Sequence, residues 1–182
     1  MTHPKIDEPV LFFLDLETSG TDPTRDKILE MCVIVTDNTL QPIDRLDVII
    51  YHEPESVAQS DWAKTHHQSL MSEVSCSTTS LSDATQLLDN LIQKHSKNQR
   101  IMLAGSSVYF DRAFLEIHMP SIMHRVHHRL LDVSSIMEMV RRFIPRVGRR
   151  QPRNSTTHRA SVDILSSLRL LQYYRDTLFR SS

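Results

Sequence analysis

A run of large apolar side chains near the amino terminus ends directly in two acidic residues. The run is VLFFL, residues 10–14, and Asp15 and Glu17 follow it. An uninterrupted apolar run predicts a central β-strand that is buried on both faces, here over residues 10–16. Because residues two apart in a strand point to the same face, both carboxylates leave one face at the end of this strand. Carboxylates so close together repel each other and resist burial, so the fold requires a source of compensating positive charge.

The remaining patterns predict an alternation of strands and helices. Short polar links join strands predicted at 10–16, 27–37 and 45–52, and such links favour an antiparallel meander. Ser80 and Asp83 have the spacing of a capping box at the start of an amphipathic helix. The other predicted elements, in chain order, are short helices and loops at 56–79, that amphipathic helix at 80–97, a strand at 100–105, a helix at 109–118, a strand at 128–133, a helix from Ser134 or Ser135 to about Phe143, a Pro- and Arg-rich loop at 145–157 and a helix at about 159–178.

This order of elements predicts a single α/β domain over residues 1–182. Its central sheet would be mixed, with three antiparallel strands plus parallel strands, and flanked by helices. A length of 182 residues suits one domain with a full-sized core. The chain has only 3 glycines, which argues against a Gly-rich phosphate-binding loop.

Cysteine usage and hydropathy predict an intracellular protein without a membrane segment. Cys32 and Cys76 lack a partner at zinc-finger spacing, so a structural zinc site is not expected and the thiols fit a reducing compartment. No segment approaches the roughly 20 apolar residues that a spanning helix needs. The first ten residues resemble neither a signal peptide nor a transit peptide.

Charge is distributed unevenly between the two ends of the chain. Residues 1–60 contain 12 acidic and 4 basic side chains, whereas residues 123–182 contain 12 arginines and 4 acidic side chains. An acidic part and a basic part in one domain favour an anionic ligand that is held partly by arginine. A solvated charged surface without a partner is the alternative interpretation.

Four acidic residues stand where apolar elements give way to polar sequence. They are Asp15 and Glu17 after the first strand, Asp111 at the start of a predicted helix, and Asp163 in the last helix. If these side chains converge beyond one end of the sheet, their repulsion calls for cations. Mg²⁺ and Mn²⁺ are hard ions that prefer oxygen ligands, and two such ions about 3.5–4 Å apart form the usual clamp for phosphodiester cleavage.

His158 precedes Asp163 by five residues. Positions five apart on a regular helix differ by roughly 140°, so His158 reaches the same site only from ahead of the helix or from its first turn. An unperturbed histidine pKa near 6.5 suits a general base that takes a proton from an attacking water near neutral pH.

Three short motifs resemble those of the DEDDh 3′→5′ exonucleases. They are DLET at 15–18, FDRAFL at 110–115 and HRASVD at 158–163, and their order and spacing agree with the family's pattern. The resemblance runs through nearly the whole chain and is closest to the oligoribonucleases. It implies a ribonuclease-H-like fold and two Mg²⁺ or Mn²⁺ ions per active site. Asp15, Glu17, Asp111 and Asp163 would bind these ions directly or through water, and His158 would be the general base.

The same resemblance implies a homodimer that degrades short single-stranded RNA from its 3′ end, down to dinucleotides, and releases 5′-mononucleotides. Trp62 aligns with an aromatic residue that stacks on a base, an interaction worth about 1–3 kcal/mol that does not read sequence. Three further residues, Ser107, Arg129 and Ser134, align with those that hold the terminal 5′-phosphate, a role that suits hydroxyls and a guanidinium.

The chain departs from the family pattern at three positions. Thr21 stands where the family commonly has leucine as an apolar wedge against the bases. His128 replaces a tyrosine that reaches across the dimer, and Val162 replaces a frequent second acid. A threonine wedge buries less apolar area and a histidine adds titratable charge. The departures at Thr21 and His128 bear on the preferred substrate length and not on the hydrolytic chemistry.

Two other functions are compatible with these motifs. One is a general DEDDh exonuclease that acts on longer single strands of RNA or DNA. The other is an inactive nucleic-acid-binding module that keeps the fold, although such a module has no need of four clustered carboxylates and His158. The expected compartment is the cytoplasm, with the mitochondrion as the alternative.

Overall fold

A computed structural model describes residues 10–57, 68–96, 99–152 and 159–179. The strands are β1 Leu11–Thr18, β2 Ile28–Thr36, β3 Pro42–Ile49, β4 Ile101–Gly105 and β5 Val126–Asp132. The helices are α1 Pro54–Val57, α2 Gln68–Cys76, α3 Leu81–Ser96, α4 Tyr109–His118, α5 Val133–Phe143, α6 Pro145–Gly148 and α7 Ala160–Leu178, with a 3₁₀ helix at Pro120–Arg125.

The five strands form one mixed sheet in the order β3-β2-β1-β4-β5. Strand β1 pairs antiparallel with β2, and β2 pairs antiparallel with β3. On the other side of β1, strands β4 and β5 run parallel to it. The prediction of a mixed sheet with three antiparallel strands plus parallel strands, flanked by helices, is therefore confirmed.

Strand β1 lies at the centre of the sheet and supplies side chains to two cores. Phe12, Leu14 and Leu16 pack on the side of α3 and α4, and Phe13 packs on the side of α5 and α7. Burial of each such side chain contributes about 1.5–3 kcal/mol, which explains why the run is apolar at successive positions. Side chains alternate between the faces of a strand, so Asp15 and Glu17 share the face of Phe13 and lie on the α7 side.

The capping box at the start of α3 is confirmed. The Asp83 backbone N–H donates to Ser80 Oγ over 3.1 Å, and the Ser80 backbone N–H donates to Asp83 Oδ2 over 3.1 Å. These reciprocal bonds satisfy two donors that the first turn of a helix leaves without partners. In the described part of the chain, no helix combines the length and the apolar composition needed to cross a bilayer.

The structure corrects two local predictions about helices. Helix α5 is capped by Asp132 and not by Ser134 or Ser135, because the Asp132 carboxylate accepts hydrogen bonds from both serine N–H groups. The segment predicted as a loop at 145–157 begins with the short helix α6, since Pro145 occupies the first helical position, where its missing N–H costs nothing.

Strand β3 also begins earlier than the predicted 45–52, at Pro42. It lies at an edge of the sheet, so a residue without an N–H group is tolerated there.

Gly105 ends β4 at a point where the backbone of β1 comes close. A Cβ atom at this position would lie 2.8 Å from the Leu14 carbonyl oxygen, and the φ angle is +155°. We expect Gly105→Ala to lower the free energy of unfolding by about 1–3 kcal/mol, because the new methyl group forces the two strands apart. Chemical denaturation of the purified protein measures this difference.

Gly148→Ala is the matched control for Gly105→Ala. The nearest atom to a Cβ at Gly148 is Arg141 Cα at 3.6 Å, an ordinary contact distance. We expect a change of less than about 1 kcal/mol, since alanine is also the better helix former. Equal losses of stability in the two variants would contradict the close approach of β4 to β1.

Candidate active site

Three carboxylates meet at the end of β1. Oxygen atoms of Asp15, Glu17 and Asp163 all lie within 4.8 Å of one another. Two come from one face of β1, and Asp163 comes from the first turn of α7, which packs on that face. Glu17 is buried, and the other two are half-buried. The structure thus brings together three of the four acidic side chains that the sequence analysis singled out.

Asp111 supports the cluster from the neighbouring helix. It lies in the first turn of α4 and is 4% exposed, and its Oδ1 accepts a hydrogen bond of 2.8 Å from the Leu16 backbone N–H. Strand β4 pairs with β1 only at residues 11–13, so the Leu16 N–H has no partner from that strand. Asp111 supplies this partner and thereby fixes the end of β1 between the two acidic residues that it carries.

The pKa values of the carboxyl groups on β1 are raised above their ordinary range. Burial is the largest cause that raises the pKa of Asp15, followed by the charges of Asp111 and Glu17. Burial, followed by the charges of Asp163 and Glu30, raises the pKa of Glu17 to about 8.

The pKa of Asp111 is also raised by burial, although the hydrogen bond from Leu16 N–H opposes the rise. A set of buried oxygen donors that repel one another is the arrangement that a hard divalent cation compensates.

A fifth acid, Glu30, lies directly beside the cluster. It is 4% exposed and stands opposite Glu17 in the pairing of β1 with β2. Arg159, the residue before α7, forms an ion pair with Glu30 at 3.2 Å. Neither residue was identified from the sequence. The available signal was the acidic residue itself, because Glu30 interrupts the otherwise apolar stretch ILEMCVIV.

The structure brings Ser107 and Ser134 together at the ends of β4 and β5. The Ser107 hydroxyl donates to Ser134 Oγ over 3.2 Å. Asp132 joins the two, since its Oδ1 accepts from the Ser107 N–H at 3.1 Å and from the Ser134 N–H at 2.8 Å. Ser107 has a φ angle of 56°, an uncommon conformation for a residue other than glycine. Sequence reasoning missed Asp132, whose signal is its position before two serines at a helix start.

The other sequence-predicted binding residues that the structure describes are exposed. Arg129 and His128 are exposed on β5, and Thr21 is exposed in the turn after β1. Among the described residues, the Arg129 guanidinium forms no ion pair, and the structure gives no contact between it and the two serines. Trp62 and His158 lie outside the described residues.

Comparison with known proteins identifies the family of this chain. The exonuclease family RNase T matches residues 12–171. An oligoribonuclease from Corynebacterium diphtheriae is 38% identical over 178 residues, which are 95% of this chain and 84% of that protein. A mitochondrial oligoribonuclease from mouse is 34% identical over 174 residues, which are 93% of this chain and 73% of that protein.

Solved structures agree with this relationship at the level of the fold. The zinc-bound complex of E. coli exonuclease I with single-stranded DNA superposes with a TM-score of 0.73 at 15% identity. The match covers 95% of this chain and 42% of that chain, so this chain spans about two-fifths of the longer exonuclease. The shared fold and the matches over most of the sequence lead to one assignment: the chain belongs to the exonuclease family and, within it, to the oligoribonucleases.

Proposed function

We propose that this protein is a 3′→5′ exoribonuclease that hydrolyses short oligoribonucleotides, down to dinucleotides, to 5′-mononucleotides. The observation that carries the proposal is the cluster of Asp15, Glu17 and Asp163, whose oxygens lie within 4.8 Å of one another. Phosphodiester hydrolysis by two metal ions needs such a cluster, whereas a module that only binds RNA gains nothing from buried acids that repel its ligand. Membership in the oligoribonucleases supports the choice of short RNA as substrate.

We propose Mg²⁺ or Mn²⁺ as the cofactor, with two ions per active site. Asp15, Glu17 and Asp163 would hold them, and Asp111 would bind directly or through water with the oxygen that Leu16 leaves available. The donor set fits, because all ligands are carboxylate oxygens and the raised pKa values of Asp15, Glu17 and Asp111 reflect a need for positive charge. When bound, such ions activate the attacking water and stabilise the leaving oxygen.

His158 is our candidate for the general base. It immediately precedes Arg159, which is the N-cap residue of α7, so the helix starts after the histidine. The start of α7 at Ala160 supports this choice, because a histidine five residues before Asp163 reaches the same site only from ahead of the helix or from its first turn. In the proposed reaction the imidazole takes the proton of the attacking water, and the scissile phosphodiester breaks to release the 3′-terminal nucleotide as a 5′-monophosphate.

The preference for short substrates would depend on Ser107, Ser134 and Arg129. We propose that the paired hydroxyls and the exposed guanidinium bind the terminal 5′-phosphate, since a charged fork and neutral donors together recognise phosphate. An RNA with further nucleotides on the 5′ side of that phosphate would not fit, because these residues would block its path. Trp62 would stack on a base, Thr21 would contact the bases as a smaller wedge, and His128 would take the place of the family's tyrosine.

A homodimer is the proposed assembly. Strand β5 forms an edge of the sheet and carries His128 and Arg129, so a second copy could approach them there. Helix α5 follows β5 directly and exposes two large apolar side chains, Met139 at 61% and Phe143 at 76%. Exposed apolar side chains of this size next to a sheet edge are the usual material of a subunit interface.

We also propose that residues 1–182 form a single exonuclease domain, a view supported by the one continuous sheet and by the family match over residues 12–171. The proposed compartment is the cytoplasm. The mitochondrion is the alternative, because relatives in mouse, cattle and human are named mitochondrial oligoribonucleases.

The substrate class is tested with three 5′-labelled substrates and Mn²⁺: a dinucleotide RNA, a 20-mer RNA and a 20-mer DNA. We expect rapid loss of the dinucleotide and slow attack on both long strands. Comparable attack on the 20-mers would favour a general exonuclease for longer single strands. Absence of metal-dependent hydrolysis at several pH values would leave an inactive nucleic-acid-binding module.

Replacement of Asp163 tests the catalytic cluster. We expect Asp163→Ala to lower kcat on the dinucleotide by at least ~10³-fold, about 4 kcal/mol of transition-state stabilisation, with the fold intact by circular dichroism. The matched control is Asp176→Ala, because Asp176 lies on the same helix but at its far end, in an ion pair with Arg175. Near-normal turnover in Asp163→Ala would refute the assignment of the site.

Stability as a function of pH gives a second test of the cluster. Glu17 has an ordinary pKa of 4.5 and a pKa of about 8 in the folded state without metal. Between these values the folded state binds more protons than the unfolded state, so the metal-free protein should lose stability as pH rises from about 5 to 8. Divalent cations bind the deprotonated carboxylates, so Mg²⁺ should raise Tm more at pH 8 than at pH 6.

Scanning calorimetry with Mg²⁺ or with EDTA at both pH values measures this effect. Glu17→Gln should reduce the pH dependence and the gain from Mg²⁺, whereas Glu116→Gln, an exposed position on α4, should retain both. An equal gain from Mg²⁺ at the two pH values in the unaltered protein would contradict the role of the buried carboxylates.

A further inference from the structure

We propose that Glu30 and Arg159 are positioning residues that hold the start of α7, and with it Asp163, against the end of β1. The inference rests on the proposed function, because the position that it explains is that of a catalytic carboxylate. Neither residue belongs to the proposed set of metal ligands. Their role is to place one member of that set on the opposite side of the cluster from the two supplied by β1.

Arg159 links three elements through a single guanidinium. Its Nη2 lies 3.2 Å and its Nε 3.3 Å from the two oxygens of Glu30 on β2. Its Nη1 and Nη2 donate to the carboxylate of Glu73 on α2 at 2.6 and 3.2 Å. A planar guanidinium can hold two carboxylates in fixed relative positions, which the single charged nitrogen of lysine cannot do. We call this arrangement the Arg159 clamp.

Glu30 also binds the helix itself. Its Oε2 accepts a hydrogen bond of 3.1 Å from the backbone N–H of Ala160, the first residue of α7, and this bond is buried. The first N–H groups of a helix have no partner within the helix, and a carboxylate there is favoured by the helix dipole. Glu30 therefore caps α7 from another element and fixes where the helix begins.

The capped turn leads directly to Asp163. The Asp163 backbone N–H donates to the Arg159 carbonyl oxygen over 3.1 Å, so Asp163 stands one turn from the clamp. On the strand side, Glu30 is the register partner of Glu17. At this position of the β1–β2 pair, β1 therefore carries Glu17 of the cluster and β2 carries Glu30, which binds the start of α7. A shift of Glu30 or Arg159 would change the distance between Asp163 and Glu17.

The clamp also accounts for the presence of another buried acid where acids already repel. The charge of Glu30 raises the pKa of Asp15 and Glu17, which makes the cluster harder to ionise. Glu30 opposes ionisation of the cluster, and it is tolerated there because the positive charge of Arg159 neutralises the Glu30 carboxylate. Loss of the guanidinium would leave Glu30 buried without its counter-charge, which is more costly than loss of the whole pair.

Arg159→Lys tests the proposal, because it keeps the positive charge and removes the fork. The matched control is Arg45→Lys. Arg45 pairs with Asp47 on β3 and lines the same cavity of about 760 Å³ as Arg159, but its ion pair does not involve α7. We expect Arg159→Lys to weaken Mn²⁺ binding by the RNA-free protein about 10-fold or more and to lower kcat about 10–100-fold. KM for the dinucleotide should stay within about 3-fold, since the substrate contacts are not altered.

The readouts separate positioning from simple stabilisation. Mn²⁺ affinity is measured by calorimetric titration and kcat by dinucleotide hydrolysis, both well below the Tm of each variant, and Arg45→Lys should change each by less than about 2-fold. Glu30→Gln keeps an oxygen that can accept from the Ala160 N–H, so it should lose less Mn²⁺ affinity than Glu30→Ala. The comparison of Glu30→Gln with Glu30→Ala also tests the proposal if Arg159→Lys does not fold.

Normal Mn²⁺ affinity and normal kcat in Arg159→Lys, accompanied only by a lower Tm, would overturn the proposal. Equal losses in Glu30→Gln and Glu30→Ala would overturn the capping step. If the unaltered protein binds Mn²⁺ but hydrolyses none of the RNA substrates, the proposed function fails. The Mn²⁺ affinities of the variants would still decide whether the clamp positions the cluster.

Discussion

Repulsion among buried carboxylates is the constraint on which the rest of this structure depends. Asp15 and Glu17 leave one face of a strand that the sheet buries on both sides, and Asp163 meets them from α7. Water cannot solvate such a group fully, and burial raises the pKa values of both β1 acids. We attribute the compensation to divalent cations, which would also hold the phosphate of the substrate against the repulsion of these acids.

Rigid elements hold the acids at the distances that this arrangement requires. Strand β1 lies at the centre of the sheet, Asp111 bonds to its Leu16 N–H, and Glu30 anchors the first residue of α7. Sites built on strands and helices keep their geometry better than sites built on loops. The acidic cluster destabilises the fold in the absence of metal. The two apolar cores on either face of β1 offset this loss of stability.

The sequence contained most of this fold and part of its site. Helix α4 was predicted with its observed bounds, and the apolar run before Asp15 located the central strand, because pattern and burial coincide there. The cap of α5 was missed because Asp132 and two serines are all suitable caps, and Asp132 is held in place by a tertiary hydrogen bond from the Ser107 N–H. The pairing of Glu30 with Arg159 spans 129 positions, so no local pattern predicts it. Strand β2 is buried on both faces, which removes the alternation that would show where Glu30 points.

Anomalous diffraction from crystals soaked in Mn²⁺ tests the central claim most directly. We predict anomalous peaks within about 2.0–2.6 Å of carboxylate oxygens of Asp15, Glu17 and Asp163, the distance range of hard divalent cations on oxygen ligands. The peaks should disappear in crystals of Asp163→Ala or become much weaker. A cluster without bound manganese at saturating Mn²⁺ and pH 8, with the carboxylates paired to each other through shared protons, would contradict the claim that cations hold these acids together.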